Sequence, residues 1–298
     1  MRDLHCYATR TALIGRTPLA WTPLAWTLLA WMLLAWMLLA SARPARAAPE
    51  TLDAAAVQEL EIELTDVDLV IETAPGTSIT VDGGGELTRS VERKGDRVAI
   101  RARGDGPLRI KLPPGKRIDF RSRSGDLRAS GEFSRFTAAT ASGDLHAQLT
   151  AEEIDLSTLS GDVTLKCTAR VLSIQTVSGD IEAVGKSAEV RGRTTSGDFS
   201  LTGELPRRLD LRTVSGQISL DGPLASDALL RIHTTSGDVR VRAQGPIGYH
   251  LEAYARSGEV RAAEAELVKA QGRVEATARG GGSTIEVHTL SGDIEILP

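Results

Sequence analysis

The sequence predicts an all-β protein: a right-handed parallel β-solenoid of about nine to ten coils with an N-terminal strand-rich cap. A regular spacing of corners is the first reason, because the glycines of nine Ser-Gly pairs recur, the first five at a constant interval. The residues around each corner alternate between apolar and polar in the same slots. After residue 47, no stretch shows a convincing helical period, apart from a short Ala-Glu-rich piece at 262–268. The corner glycines are Gly125, Gly143, Gly161, Gly179, Gly197, Gly216, Gly237, Gly258 and Gly292.

Residues 1–47 resemble an export signal. Three arginines precede an apolar run at 19–42, and Ala45-Arg46-Ala47 matches the small-x-small pattern of a signal-peptidase site. The run approaches the ~20 residues that span a bilayer, so an uncleaved N-terminal anchor is the alternative. In both cases the positive N-terminus stays inside and the rest is exported. We therefore expect the protein in the periplasm, on the cell surface or outside the cell, with a membrane contact only through residues 19–42 if they remain.

Charge and cysteine content narrow the class of partner. Without residues 1–47 the chain keeps 30 basic and 38 acidic side chains, a net charge of −8. Nucleic-acid binding needs a basic surface, so a nucleic-acid partner is not expected. Cys167 is the only cysteine after residue 47, which excludes a disulfide within the exported chain. Its alternation with Val163 and Leu165 predicts a buried side chain, and an intermolecular disulfide is the alternative.

Ahead of the repeats, a linker at 48–58 leads into a cap region at 59–117. The cap sequence contains alternating segments such as ELEIELT (59–65), DLVIETA (68–74) and RVAIRAR (97–103). Glycine and proline clusters separate them. Alternation with period two, bounded by such clusters, is typical of half-buried strands.

The repeat domain occupies residues 118–298. IDLSTLSGDVTL (154–165) shows the whole template, in which two short strands meet at a Ser-Gly-Asp corner. Because each repeat carries the same residue types in the same slots, one repeat is expected to lie directly over the next, with parallel strands. An antiparallel sandwich is the alternative. The predicted core of one coil consists of Ile154, Leu156, Val163 and Leu165. Between the last two corners, Gly272 is predicted to mark the corner of a further coil whose repeat sequence is degenerate.

The template resembles a known family. Its Ser-Gly-Asp corners, preceded by LRIKLPPGKRIDF (108–120), are similar to bacterial β-strand-repeat proteins labelled candidate adhesins, a domain of unknown function. The resemblance covers about residues 60–297. It implies an exported, non-enzymatic protein of the cell envelope. Gln217 and Glu259 depart from the pattern, which argues against every corner carboxylate being required.

The corner aspartates form a column that has two interpretations. Stacked carboxylates repel one another unless a cation or hydrogen-bond donors compensate their negative charge, and a calcium ion would do so. The alternative is that each carboxylate accepts backbone N–H groups at its own corner. The candidate calcium ligands are Asp126, Asp144, Asp162, Asp180 and Asp198.

A threonine column and two histidines complete the candidates. Alternation places Thr158 and its equivalents inside, as a hydroxyl ladder bonded from coil to coil, whereas an outward row would suit an ice-binding surface. His233 and His288 share an outward slot. In sequence order their coils are not adjacent, so no joint metal site is expected there.

No catalytic constellation or cofactor motif is found, so we predict a protein that is not an enzyme and has no cofactor. A carbohydrate-active β-helix enzyme is the remaining catalytic alternative, but the short returns between coils leave little room for groove walls. The predicted function is structural or adhesin-like binding through the solenoid faces. The predicted partners are an envelope protein, a polymer or a second copy of the chain. A calcium-stabilised array stays open as an alternative.

Overall fold

The computed structural model describes residues 49–263, 265–270 and 273–298, without the side chains of residues 266, 267, 269 and 270. The predicted export signal at 1–47 lies outside the described residues. Within the described ranges every regular element is a strand, which confirms the all-β class. A helix long and apolar enough to cross a membrane is likewise not found among these residues.

The first twelve strands end with four long ones. They are β1 (Glu50–Asp53), β2 (Glu59–Thr65), β3 (Leu69–Thr73), β4 (Ser78–Gly83), β5 (Glu86–Lys94), β6 (Arg97–Asp105), β7 (Leu108–Leu112), β8 (Lys116–Ser122), β9 (Leu127–Ser142), β10 (Leu145–Ser160), β11 (Val163–Ser178) and β12 (Ile181–Ser196).

The remaining strands are shorter. They are β13 (Phe199–Glu204), β14 (Arg208–Ser215), β15 (Ile218–Pro223), β16 (Leu229–Ser236), β17 (Val239–Gln244), β18 (Gly248–Ser257), β19 (Val260–Ala262), β20 (Ala265–Ala270), β21 (Arg273–Ala278), β22 (Gly282–Ser291) and β23 (Ile294–Leu297).

Consecutive repeats lie side by side, parallel and in register. Leu145 pairs with Val163 and Val163 with Ile181, so residues in the same slot of consecutive repeats become neighbours. This confirms the stacking of repeats inferred from the shared template and excludes the antiparallel sandwich for β9–β12. The handedness and the number of coils stay predictions.

Each long strand bends in the middle, and this bend encloses the core. In β10 the inward side chains run Leu145, Ala147, Leu149 and Ala151, and the alternation then shifts by one residue so that Ile154 is also inward. The two halves of the strand therefore belong to two sheets that face each other. The predicted core residues Ile154, Leu156, Val163 and Leu165 are all buried, and so is Cys167, as predicted.

At the N-terminal end, the order of strands in the stack differs from their order in the chain. β2 pairs in parallel with both β6 and β8, and β3 with both β7 and β9. Within the segment predicted as a cap, these strands thus continue the parallel stack. The antiparallel strands β5, β4 and β1 are added outside β6 and β7.

The C-terminal end repeats this arrangement. β22 lies between β16 and β18, and β23 lies between β17 and β19, all in parallel. The final segment, Gly282–Leu297, therefore fills a gap one strand wide that the chain left open when it passed from β17 to β18. β2 with β3, and β22 with β23, thus lie inside the stack, one layer from its parallel ends.

The prediction of a degenerate coil around Gly272 is wrong. β21 pairs antiparallel with β18, and β20 pairs antiparallel with β21, so Val274 and Ala276 belong to a hairpin that covers β18. Gly272 itself lies outside the described residues. The alternating pattern of this segment fits either a coil strand or a hairpin strand, because both have a period of two. An antiparallel cover protects a sheet edge that would otherwise invite pairing with another chain.

Candidate functional site: the corner rows and the outer strip

The corner glycines are required by close contact between repeats. Gly161 has a φ of +144°, and a Cβ there would lie 2.2 Å from the carbonyl oxygen of Gly143. That oxygen belongs to the backbone of the neighbouring repeat, so it cannot move aside without separating the two layers. The same relation holds along the row of corners, which makes the row a structural element.

The corner carboxylates bond to the next repeat. The backbone N–H of Asp162 donates to Oδ1 of Asp144 (3.0 Å), and the N–H of Asp180 donates to Oδ1 of Asp162 (2.9 Å). The alternative drawn from sequence, bonds at each residue's own corner, is therefore corrected to bonds between adjacent corners. Other carboxylates that accept a backbone N–H in this way are those of Asp68, Asp126, Asp198 and Asp238. Asp293, at the corner between β22 and β23, follows Asp238 and accepts from the next corner in the stack.

Two members of this ladder inform the calcium alternative. Asp68, directly before β3, begins the row although no Ser-Gly precedes it, so the motif search missed it. The backbone N–H of Gln217 donates to Oδ1 of Asp198, and the strand that follows stays in register although Gln217 has no carboxylate of its own. Among the described residues, no group of three or more His, Cys, Asp or Glu side chains is arranged to hold a metal ion. One oxygen of each candidate calcium ligand serves as a backbone acceptor, and calcium binding stays a prediction.

The threonine row is buried, as alternation predicted. Its bonding differs from the predicted coil-to-coil ladder: the hydroxyls of Thr140, Thr213 and Thr289 donate to the carbonyl of the serine two residues later in the same repeat. These bonds close the corner locally. Since the row faces the interior, it does not form the outward hydroxyl array that an ice-binding surface needs.

The residues on either side of the threonine slot point outward and form two rows along nine neighbouring strands, from β8 to β18 in stack order. We call these two rows the outer strip. None of its side chains is buried, and none is a carboxylate. The outer strip consists of Arg121, Arg123, Ala139, Ala141, Ser157, Leu159, Gln175, Val177, Arg193, Thr195, Arg212, Val214, His233, Thr235, His288, Leu290, Tyr254 and Arg256.

One row of the outer strip is an exposed apolar ridge. Leu159 is 56% exposed, Val177 46%, Val214 50% and Leu290 48%. A shallow groove of about 470 Å³ runs beside the middle of this ridge, between Val177 and Arg193. An aligned set of exposed large apolar side chains is uncommon on a soluble protein surface and usually marks a contact site.

The other row of the outer strip carries planar side chains. Arg193, Arg212, His233, His288 and Tyr254 occupy consecutive strands, and the two imidazole rings stack with centroids 5.1 Å apart and planes inclined by 16°. The premise that the two histidines are not on adjacent coils is therefore wrong. The insertion of β22 beside β16 makes them direct neighbours.

The environment of His233 lowers its pKa below the ordinary value of 6.5. Partial burial has the largest effect, and the neighbouring His288 and Arg212 add to it, whereas Asp210 and Glu286 oppose it. At neutral pH the stacked pair is thus held in a form in which His233 carries no proton, which relieves repulsion between the rings.

Lowering the pH from about 7.5 to about 5.5 is expected to destabilise the protein through His233. In this window the unfolded chain binds a proton that the folded state resists, so stability falls as the pH falls below 6.5. Urea unfolding at both pH values measures the effect. His233→Gln should reduce the loss, whereas His146→Gln, an exposed change on the opposite sheet, should not; equal losses in all three proteins would contradict this origin.

The arginines of the outer strip are only partly paired: Arg121 contacts Asp119 (3.1 Å) and Arg212 contacts Asp210 (3.1 Å). Outside the strip, some arginines pair with carboxylates on adjacent strands, as Arg231 does with Glu286 (2.9 Å) and Arg240 with Glu295 (2.8 Å). Within the described part of the chain, the side chains of Arg123, Arg193 and Arg256 make no ion pair or hydrogen bond. These three arginines therefore offer positive charge that the described residues do not neutralise.

The comparisons with known proteins identify a family. The chain matches the Toastrack DUF4097 family over residues 57–297. No curated protein matches the chain.

Solved structures similar to this chain cover most of its length at low identity. They include a candidate lipid-binding protein from Parabacteroides distasonis (13% identity, 85% of this chain and 98% of that one, TM-score 0.46). A candidate adhesin from Bacteroides fragilis is 14% identical, with 84% and 98% coverage and a TM-score of 0.43. A candidate adhesin from Parabacteroides merdae is 12% identical, with 86% and 98% coverage and a TM-score of 0.33. The family match spans more than half of the sequence and confirms the resemblance to a repeat family of unknown function: the chain belongs to the Toastrack DUF4097 family.

Proposed function

We propose that this protein is an exported, non-enzymatic binding protein of the cell envelope with a structural or adhesive role, and that it contacts its partner through the outer strip. The observation that carries the proposal is the strip itself: aligned exposed apolar side chains beside arginines, three of which have no side-chain partner among the described residues, and no carboxylate in either row. Repeat proteins commonly bind through such extended faces.

The form of the repeats supports a binding role over a catalytic one. Only two residues, such as Gly143 and Asp144, separate one long strand from the next in β9–β12. A catalytic groove on a solenoid needs loops that wall off a substrate and converge acid and base groups. The grooves beside the strip are open and shallow, which suits contact with a large partner.

A binding assay with isolated envelopes tests the proposal. Purified full-length protein is incubated with cell-wall and membrane fractions, and the bound amount is measured for the wild type and for the ridge variant Leu159→Asp/Val177→Asp. The matched control is Thr168→Asp/Thr202→Asp, which adds two carboxylates at exposed positions of the opposite sheet.

We expect the ridge variant to lose most of the binding and the control to keep it, because a carboxylate on the ridge removes apolar contact and places an unpaired charge in the interface. Circular dichroism and urea unfolding establish that both variants fold. Failure of the wild type to bind any envelope fraction, or cleavage of a polysaccharide by the purified protein, would refute the proposal.

A further inference from the structure

We infer that the outer strip binds an extended acidic glycan, a sugar polymer that carries carboxylates. This inference rests on the proposed function and names the class of ligand. Its starting point is composition: eighteen outward positions contain five arginines and no acidic residue, in a chain whose acidic side chains outnumber its basic ones. An acid-free strip on an acidic protein is a specific local feature.

Carboxylates border the strip on both sides. The next outward row on the same sheet has more carboxylates, among them Asp155, Asp210 and Glu286, than cations, which are Arg191 and Arg231. The corner ladder of aspartates lies beyond the serines on the other side. A polyanion is attracted to the arginines and repelled by both borders. The borders would therefore keep such a ligand aligned with the direction in which the repeats stack, because a polyanion lying across the strip would meet the carboxylates.

The arginines of the strip suit carboxylate ligands. Guanidinium groups bind carboxylates through two parallel N–H donors, and such charge-assisted bonds are stronger than neutral ones. Arg193 lies at the groove and has no partner among the described residues, while Arg212 beside it shares its guanidinium with Asp210 (3.1 Å). Arg123 and Arg256, at the two ends of the strip, have no side-chain partner in the described ranges either.

The dimensions of the strip favour a linear ligand. It crosses nine strands at about 4.8 Å each, so it is roughly 38 Å long. One pair of side chains is presented per strand, a repeat close to the length of one sugar ring in an extended chain. A small molecule would contact only a fraction of this surface, and the groove beside Val177 is too open to enclose one.

Sugar rings match the remaining chemistry of the strip. A pyranose has C–H faces that pack on apolar and planar side chains, and the strip supplies Val177 and Val214 in one row and, further along the stack, the rings of His288 and Tyr254 in the other. Its hydroxyls need hydrogen-bond partners. Exposed serines follow the ridge at every corner, for example Ser160 and Ser178.

An acidic peptide is the competing ligand and fits less well. Extended peptides that bind β-sheets usually add a strand to a free edge and gain backbone hydrogen bonds there. The outer strip is a face whose backbone groups are already paired between neighbouring strands, as in the register of Gln175 with Arg193. A peptide on this face would bring backbone N–H and C=O groups for which the strip has few partners.

Titration of the full-length protein with defined oligomers tests the inference. The probes are oligogalacturonate and hyaluronate oligomers of about eight sugars, roughly one sugar for each step of about 4.8 Å between strands of the strip. A neutral gluco-oligosaccharide and poly-glutamate of equal length are the comparison ligands. Isothermal titration calorimetry at low and high salt measures affinity for the wild type, Arg193→Gln/Arg212→Gln and the control Arg128→Gln/Lys166→Gln on the opposite sheet.

We expect at least one acidic glycan to bind, more weakly at high salt, and the strip variant to lose about tenfold or more in affinity while the control is unchanged. Three results would overturn the inference: neither acidic glycan binds, the strip variant binds as tightly as the wild type, or poly-glutamate binds as well as the glycans. If the glycans fail while the ridge variant still abolishes envelope binding, only the ligand class is wrong. If the wild type also fails to bind envelopes, the proposed function falls as well.

Discussion

Deleting residues 282–298 is expected to unfold the C-terminal part of the protein beyond the deleted segment. Ile285, Val287, Ile294 and Ile296 are fully buried, and each contributes about 1.5–3 kcal/mol, so their loss approaches the whole stability of a typical domain. Among the described residues, β18 and β19 would lose their only parallel neighbours. We therefore expect β18 and the hairpin β20–β21 to unfold together.

Hydrogen exchange distinguishes this expectation from a simple end truncation. If the last repeat lay at the end of the stack, its deletion would leave the protection of β18 intact. With β22 inserted between β16 and β18, amides of β18 should exchange rapidly, whereas those of β10 and β11 stay protected. Removal of the chain through Asp53 is the control, because β1 pairs only with β4 at the outer edge. Protection of β18 in the C-terminal deletion would contradict the observed strand order.

The sequence predicts the neighbours within the regular repeats because their chemistry is periodic. Residues in the same slot, such as Leu156 and Ile174, share a face and a burial class and pair with each other across consecutive repeats. The composition of the outer strip also follows from these slots. The inward threonines and the buried Cys167 follow from the same alternation.

The order of the terminal repeats does not follow from the pattern. An in-register parallel strand offers the same backbone groups to any neighbour, so a slot pattern does not state which repeat lies beside which. The long step from Gly258 to Gly292 shows that additional residues are inserted between these corners, but a hairpin and a degenerate coil have the same alternation of apolar and polar residues. This ambiguity hid the contact of His233 with His288 and the place of Asp68 in the corner ladder. The first depends on β22, which fills a gap between earlier strands, and the second on β3, which later strands flank on both sides.

Replacing Gly161 with alanine is expected to destabilise the protein by about 4 kcal/mol or more, at the severe end of single substitutions. Two effects combine at this corner: a φ of +144°, which alanine adopts poorly, and a Cβ placed 2.2 Å from the backbone oxygen of Gly143. Relief of that contact requires the two repeats to separate. Separation would weaken the bonds from the N–H of Gly143 to the oxygen of Ser160 and from the N–H of Asp162 to Asp144.

Gly76 supplies a control that separates the two effects. Its φ is +154°, close to that of Gly161, but a Cβ there would have no heavy atom within 4 Å. Gly76→Ala should therefore show only the conformational strain, about 1–2 kcal/mol. Urea unfolding of both variants gives the two free energies, and equal losses would mean that contact between repeats is not what selects glycine. Val67 occupies the corner position next to Gly125 with a backbone outside the positive-φ region, so a side chain is accommodated where the corner backbone takes another conformation. Glycine at the corners thus reflects the close stacking of one corner on the next, which also holds the slots of the outer strip in register.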